Sequence, residues 1–97
     1  MNWRAQLTRL ILSFYRENPE QLKQLRGLHL CKVTRRWGVL RVDCPSSEIA
    51  YGLIECSHLL KEPIAEMRLA QQIAISVNRH SLTSLPVTTS KVNIWRL

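Results

Sequence analysis

The sequence predicts one α+β domain with the order helix, helix, strand, strand, helix, helix, strand (ααββααβ), in which a three-stranded sheet packs against the helices. Two observations carry this prediction: apolar residues recur at helical spacing in several stretches, and the apolar period changes to two in three short segments. A chain of 97 residues with 45% hydrophobic content suffices for one core, because domains commonly run from about 50 to 250 residues. We expect the domain to occupy residues 1–78.

The first predicted helix follows Asn2, which is a suitable N-cap. Its apolar residues fall within about 100° of one another on a helical wheel and are expected to face the core: Trp3, Leu7, Leu10, Ile11 and Phe14. Leu12 lies opposite this stripe and is flanked by Arg9 and Arg16, so the sequence predicts a protein-partner surface formed by Arg9, Leu12 and Arg16. A single exposed leucine is also common without any function.

A short second helix is predicted directly after the first. Asn18 and Pro19 interrupt the first helix and offer an N-cap and a first-turn proline to the second one. This second helix ends near Arg26, because Gly27 follows. Its two leucines are expected to join the core.

Two strands are predicted from residue 28 to 34 and from residue 39 to 44, where the apolar period is two. The connection between them is short and contains Gly38, which favours an antiparallel hairpin. In the second strand Leu40, Val42 and Cys44 are expected to face inward, and the residues between them outward.

Two more helices and a strand complete the predicted domain. Ser46 or Ser47 is expected to cap the third helix, and Glu62-Pro63 is expected to begin a short fourth one. Residues 73–77 are the clearest strand in the chain, since they carry isoleucine and valine at every second position.

Beyond residue 78 the sequence is less regular. Residues 79–90 are rich in serine and threonine and lack periodicity, so residues 79–97 are expected to form a linker or tail that can dock as a terminal strand. Because all the helices are expected on one side of the sheet, its other face is expected to stay partly open. An open sheet face is a candidate binding surface.

The chain is strongly basic, with a formal net charge of +7 and a pI near 10.0. Residues 1–42 hold nine basic and two acidic side chains, whereas residues 43–68 hold two basic and five acidic ones. This distribution favours a phosphate-rich or otherwise acidic partner for the first half of the chain.

No catalytic or metal-binding constellation stands out in the sequence, so we expect a non-enzymatic protein without cofactors or metal ions. The three histidines lie on different elements, without the spacing of a metal site. Cys31, Cys44 and Cys56 lack C-x-x-C spacing, which favours reduced thiols over zinc or a disulfide scaffold. With no visible signal peptide or membrane span, a cytoplasmic location is expected.

The sharpest feature is a group of four cations and one aromatic residue within ten positions at the predicted hairpin: Lys32, Arg35, Arg36, Trp37 and Arg41. Such cations can straddle phosphates while the indole stacks on an unpaired base or wedges beside a groove. We therefore predict a nucleic-acid site here, with DNA favoured and RNA possible. Alternatively, the cations only keep the hairpin edge soluble and Trp37 covers the core.

The segment from Gly38 to Leu53 resembles the strand-then-helix core of the bacterial helicase-operator family DciA. The family's G-x-L-x-V strand and S-S-x-x-A-x-x-L helix start match this sequence at Gly38, Leu40, Val42, Ser46, Ser47, Ala50 and Leu53. The element order also resembles the N-terminal interaction domain of the bacterial replication initiator DnaA, which has a KH-like fold. A G-x-x-G loop of RNA-binding KH domains is missing.

This resemblance, which covers residues 28–77, implies a KH-like fold, contacts with DNA and a protein partner such as a replicative helicase. Together with the basic hairpin, it leads us to expect an adaptor that binds DNA through the hairpin and a protein through its helices. The alternative is a protein-interaction or homodimerisation module without direct nucleic-acid contact. A titration against DNA and RNA oligomers separates the two.

Overall fold

A computed structural model describes residues 3–87 of the chain, with side chains from residue 6 onward. This part contains four α-helices, one 3-10 helix and four strands: α1 (Trp3–Ser13), α2 (Pro19–Gln24), the 3-10 helix (Arg26–Leu30), β1 (Lys32–Arg36), β2 (Val39–Cys44), α3 (Ser47–Glu55), α4 (Ser57–Glu66), β3 (Gln72–Val77) and β4 (His80–Pro86). The predicted α+β class is confirmed. The expected Asn2 cap, the Trp3 side chain and residues 88–97 lie outside the described part. Among residues 3–87 no helix has the length and apolar character needed to cross a membrane.

The four strands form one mixed sheet in the order β1-β2-β3-β4. β1 and β2 are antiparallel, β2 and β3 are parallel, and β3 and β4 are antiparallel. Parallel neighbours need a long connection, and the crossover through α3 and α4 provides it between β2 and β3.

The predicted number of strands is wrong, because β4 is formed by residues that were expected to be a linker or tail. Serine and threonine occupy much of this segment and hide the apolar alternation that marks a strand. The backbone of β3 supplies the hydrogen-bonding partner, and Leu85 of β4 pairs with the buried Ile73.

The first strand also begins later than predicted. Residues predicted at its start belong instead to the 3-10 helix, where Leu28 is fully buried. β1 also ends later than predicted, at Arg36, so Arg35 and Arg36 lie on the strand and not in the turn.

The helices cover one face of the sheet and enclose the core there. Leu40, Val42 and Cys44 are buried on this face, as the alternation of β2 predicted. The largest fully buried side chains that surround them come from helices and strands alike: Ile11, Leu25, Leu28, Val33, Leu53, Leu60, Ile64, Ile73 and Ile75.

The buried side of α1 is rotated from the predicted one. The core side runs through Leu7 and Ile11 of α1 and continues to Tyr15 in the turn that follows. Leu10 and Phe14, which were expected in the core, are 43% and 37% exposed. Tyr15 can lie inside because its hydroxyl donates a hydrogen bond to the carbonyl of Leu59 at 2.8 Å. That polar contact was not visible in the apolar pattern.

The break between α3 and α4 lies at Cys56, so the prediction that Pro63 begins the fourth helix is wrong. Pro63 lies inside α4, where it has no N–H to donate to Leu59, four residues earlier. The Tyr15 hydroxyl satisfies that carbonyl instead. Burial, together with the nearby Glu62, raises the pKa of Tyr15 to about 12.

Candidate nucleic-acid interface

Two tight turns of the same kind lie at opposite ends of the sheet. Trp37 and Gly38 join β1 to β2 with φ angles of 55° and 75°, and Asn78 and Arg79 join β3 to β4 with φ angles of 49° and 73°. Positive φ at both central residues is typical of the type I′ turn, which fits the twist of an antiparallel hairpin. Because β2 and β3 are parallel, the two turns point away from each other.

The face of the sheet that the helices leave uncovered is called here the open face. Strand register aligns its residues in three rows across the sheet: Lys32, Asp43, Ser76 and Ser81; Thr34, Arg41, Ala74 and Ser84; Arg36, Val39, Gln72 and Pro86. Every one of them is exposed or half-buried. The open face is therefore polar and basic, in contrast to the apolar face beneath the helices.

A concavity of about 370 Å³ lies on the open face, at the end that carries the Asn78–Arg79 turn. Three cations from three elements line it, namely Lys32 of β1, Arg41 of β2 and Arg79 of the turn. Its remaining lining residues are Thr34, Asp43, Ala74, Ile75, Ser76 and Ser81. Three positive side chains thus share the concavity with one carboxylate.

Asp43 holds the Asn78–Arg79 turn in place. Its Oδ1 atom accepts hydrogen bonds from the backbone N–H of Arg79 at 2.7 Å and from the hydroxyl of Ser76 at 2.8 Å. The N–H of Asn78 donates to the carbonyl of Cys44 at 3.0 Å. The hydrogen bond from Arg79 and that from Ser76 lower the pKa of Asp43, so this carboxylate is ionised at neutral pH.

The predicted hairpin cations divide between the two faces of the sheet. Lys32, Arg36 and Arg41 lie on the open face. Arg35 pairs with the buried Leu40 and therefore lies on the opposite face, where its guanidinium donates to the carbonyl of Leu69 at 3.4 Å. Strand alternation is the reason, since neighbouring residues point to opposite faces.

Trp37 stands at the tip of the β1–β2 hairpin and is 86% exposed. The alternative in which this indole covers the core is therefore wrong. Its φ of 55° belongs to a region that glycine and asparagine adopt readily and that other residues adopt at a cost of about 1–3 kcal/mol. Within residues 6–87, the one aromatic ring pair is Phe14 with Tyr15, so Trp37 pays this cost without a stacking partner.

Arg79 is the member of the interface that sequence analysis missed. The lack of periodicity after residue 78 places it in the predicted tail, far along the chain from the basic hairpin. The signal available was Asn78, which favours the first position of a type I′ turn, but the second position normally calls for glycine. An Asn-Arg pair is a weak hairpin signal.

The predicted protein-partner residues of α1 do not form the expected surface. Arg9 and Arg16 are exposed, but Leu12 is half-buried and packs against the core. The exposed apolar residues of this region are instead Leu10 of α1 and Phe14 of the turn that follows it. Leu12 faces the core, and Leu10 and Phe14 face solvent, because the buried side of α1 is rotated from the predicted one.

The cysteines are buried or half-buried thiols. The Sγ atom of Cys31 lies 3.4 Å from that of Cys44 and 3.3 Å from the carbonyl oxygen of Gly27. Burial raises the pKa of both Cys31 and Cys44. Each is therefore a weak nucleophile at neutral pH, because the thiolate is the reactive form.

Comparison of the chain with protein-family models, with curated proteins and with solved structures gives no match. The resemblance to the helicase-operator family and to the initiator domain therefore stays a prediction. Function has to be inferred from the geometry of the open face and of α1.

Proposed function

We propose that this protein is a non-enzymatic, nucleic-acid-associated adaptor that binds the phosphate backbone of DNA on its open face. The observation that carries the proposal is the convergence of Lys32, Arg41 and Arg79 on one concavity, with Arg36 further along the same face. Neutralising backbone phosphates releases condensed counterions, which is the main source of affinity for such sites.

The dimensions of the open face suit a short stretch of nucleic acid. The six residues of β2 separate the two turns, which corresponds to roughly 20 Å at about 3.3 Å per residue. Small single-strand-binding folds cover about 4–16 nucleotides. Trp37, at the far end from Arg79, supplies an aromatic surface on which an unpaired base can stack.

We further infer a KH-like fold that carries one additional edge strand. From α1 to β3 the order of α-helices and strands is ααββααβ, the order implied by the resemblance, and β4 extends it. By this analogy the protein partner is of the replication type, such as a replicative helicase. The exposed Leu10 of α1 and Phe14 of the turn that follows it lie near the basic Arg9 and Arg16 in the sequence and support a protein contact there.

The second candidate function, a protein-interaction or homodimerisation module, is favoured by that same apolar surface formed by Leu10 and Phe14. Exposed apolar groups next to cations suit an acidic protein surface. In this alternative the basic open face makes no contact with nucleic acid.

Two matched triple variants test the proposal. The open-face variant carries Lys32→Ala, Arg41→Ala and Arg79→Ala, and the control carries Arg9→Ala, Lys23→Ala and Arg26→Ala, three exposed cations of the helical side. Both lose the same charge. In moderate salt we expect the open-face variant to bind a DNA oligomer about 30-fold more weakly and its log-log salt slope to fall by about 2 units.

The control variant is expected to change affinity by less than about threefold, since long-range attraction is screened at moderate salt. Circular dichroism establishes that both variants are folded. Equal losses in the two variants reject the open face as the site. If the wild-type protein binds neither DNA nor RNA at micromolar concentration, the interaction-module alternative replaces the proposal.

A further inference from the structure

We propose that the concavity beside Arg79 is a pocket for a phosphate monoester, namely the terminal phosphate of a nucleic-acid strand. This inference rests on the proposed function and specifies which part of the strand the open face takes at that end. It concerns the concavity lined by Lys32, Arg41 and Arg79.

The charge of the concavity matches a monoester better than an internal phosphodiester. Three cations and the carboxylate of Asp43 line it, so its formal charge is +2. An internal phosphodiester carries one negative charge, whereas a phosphate monoester carries about 1.5 to 2 negative charges at neutral pH and three strong acceptor oxygens. The charge of a terminal phosphate therefore neutralises the positive charge of the lining more completely than that of an internal phosphate does.

The donors of the concavity come from several elements of the sheet. Lys32, Arg41 and Arg79 belong to β1, β2 and the β3–β4 turn, and arginine binds phosphate through two parallel N–H groups. The hydroxyls of Thr34 and Ser81 also line the concavity. The hydroxyl of Ser76 already donates to Asp43, so the donors open to a ligand are the three cations and these two hydroxyls.

Asp43 acts as a positioning residue for this pocket. Its Oδ1 atom accepts hydrogen bonds from the backbone N–H of Arg79 and from the hydroxyl of Ser76. That N–H belongs to a residue at φ 73°, a conformation that arginine does not favour. The hydrogen bond thereby helps to hold Arg79 in the turn at the edge of the concavity.

A strand end fits the position of the concavity better than free phosphate does. The concavity lies at one end of the sheet, and from there the open face continues past Arg36 to Trp37 at the other end. A strand whose terminal phosphate occupies the concavity can lay its next phosphates and bases along this surface. Inorganic phosphate or a phosphopeptide would leave those contacts unused.

The test compares two single-stranded DNA oligomers of about 12 nucleotides that differ only in a 5′-phosphate or a 5′-hydroxyl. We expect the wild-type protein to bind the phosphorylated oligomer about tenfold more tightly, the gain expected of an additional charge-assisted contact. Arg79→Gly should remove this preference. Glycine after Asn78 gives the favoured type I′ pair, so the turn itself is retained.

Arg36→Ala is the matched control, since Arg36 lies on the same face but does not line the concavity. It should weaken both oligomers equally and keep their ratio. A 3′-phosphorylated oligomer tests the opposite strand end, and a preference for either end supports the pocket.

Equal affinity for the hydroxyl oligomer and for both the 5′- and the 3′-phosphorylated oligomers would overturn the pocket while leaving the proposed DNA contact in place. Absence of binding to either oligomer rejects both. Inorganic phosphate, or a phosphoserine peptide, that competes as well as the phosphorylated oligomer would overturn the assignment to a strand end. A preference that persists in Arg79→Gly would place the terminal phosphate elsewhere.

Discussion

The two turns of the sheet share a backbone geometry but are held by different means. In the first turn Gly38 adopts positive φ readily and Trp37 does not. In the second turn Asn78 adopts it readily and Arg79 does not. Asp43 binds the backbone of the Arg79 turn, whereas no side-chain hydrogen bond holds Trp37 within residues 6–87. In both turns the ill-fitting residue belongs to the proposed interface. The Arg79 turn is held by a side chain, whereas the Trp37 turn is held by the backbone, since the Gly38 carbonyl accepts from the N–H groups of Gln71 and Gln72.

The largest expected difference between the turns is the effect of removing the carboxylate at position 43. Asp43→Ala leaves the Ser76 hydroxyl and the Arg79 N–H without their acceptor. We expect the free energy of unfolding to fall by about 2 kcal/mol, measured by urea denaturation. Asp43→Asn, which keeps one acceptor oxygen, should lose about half as much. A loss in Asp43→Ala below about 0.5 kcal/mol would show that this hydrogen bonding does not stabilise the turn.

The Trp37 turn should respond in the opposite direction. Trp37→Asn places the preferred asparagine before Gly38, so we expect the free energy of unfolding to rise by about 1 kcal/mol. Trp37→Phe keeps the strained backbone and should leave stability unchanged. DNA binding should fall in Trp37→Asn while stability rises, which a purely structural tryptophan would not show. A less stable Trp37→Asn protein contradicts the argument from strain.

Acid should weaken only the Asp43 turn. The pKa of Asp43 is lowered in the folded protein, so its stabilising contribution is complete above the unfolded pKa of about 3.9 and is lost as pH falls through the lower folded value. Because solvent screens this half-buried carboxylate, the change is expected to be under about 1 kcal/mol. Denaturation of wild type and Asp43→Asn over this pH range measures it. The difference between them should shrink in acid.

The smallest expected effect concerns the thiols at the Asp43 end of the sheet. Cys31 and Cys44 are buried or half-buried with raised pKa values, so iodoacetamide should alkylate them about tenfold more slowly than in the unfolded chain at neutral pH. Asp43→Ala should accelerate this reaction by loosening the turn that the Cys44 carbonyl also anchors. Trp37→Asn should not, because its turn lies at the other end. Mass spectrometry follows the reaction.

Prediction from sequence succeeded for β2 and failed for β4, because only β2 carries a strand signal in its own residues. Leu40, Val42 and Cys44 alternate with polar residues and carry their own strand signal. The Ser- and Thr-rich segment His80–Pro86 does not, and it becomes a strand because β3 offers a backbone edge beside it. That edge is a tertiary feature, which a local pattern does not contain.

The candidate site divides in the same way. Lys32, Arg36, Trp37 and Arg41 are close in sequence, so their grouping was visible before the structure. Arg79 joins Lys32 and Arg41 at the concavity because β3 lies parallel to β2 and turns back beside Asp43. This arrangement depends on the crossover through α3 and α4, and the spacing of charges along the chain does not reveal it.

The hydrogen bond from Tyr15 to Leu59 makes the hydrogen bonding of α4 depend on the turn that follows α1. Pro63 removes the donor that the Leu59 carbonyl would receive within α4, and the replacement comes from a residue 44 positions earlier in the chain. A contact over that separation carries the entropic cost of closing a long loop. The hydrogen bonding of the crossover segment that sets β2 beside β3 is therefore complete only when Tyr15 docks against α4, which ties assembly of the sheet to a contact between distant parts of the chain.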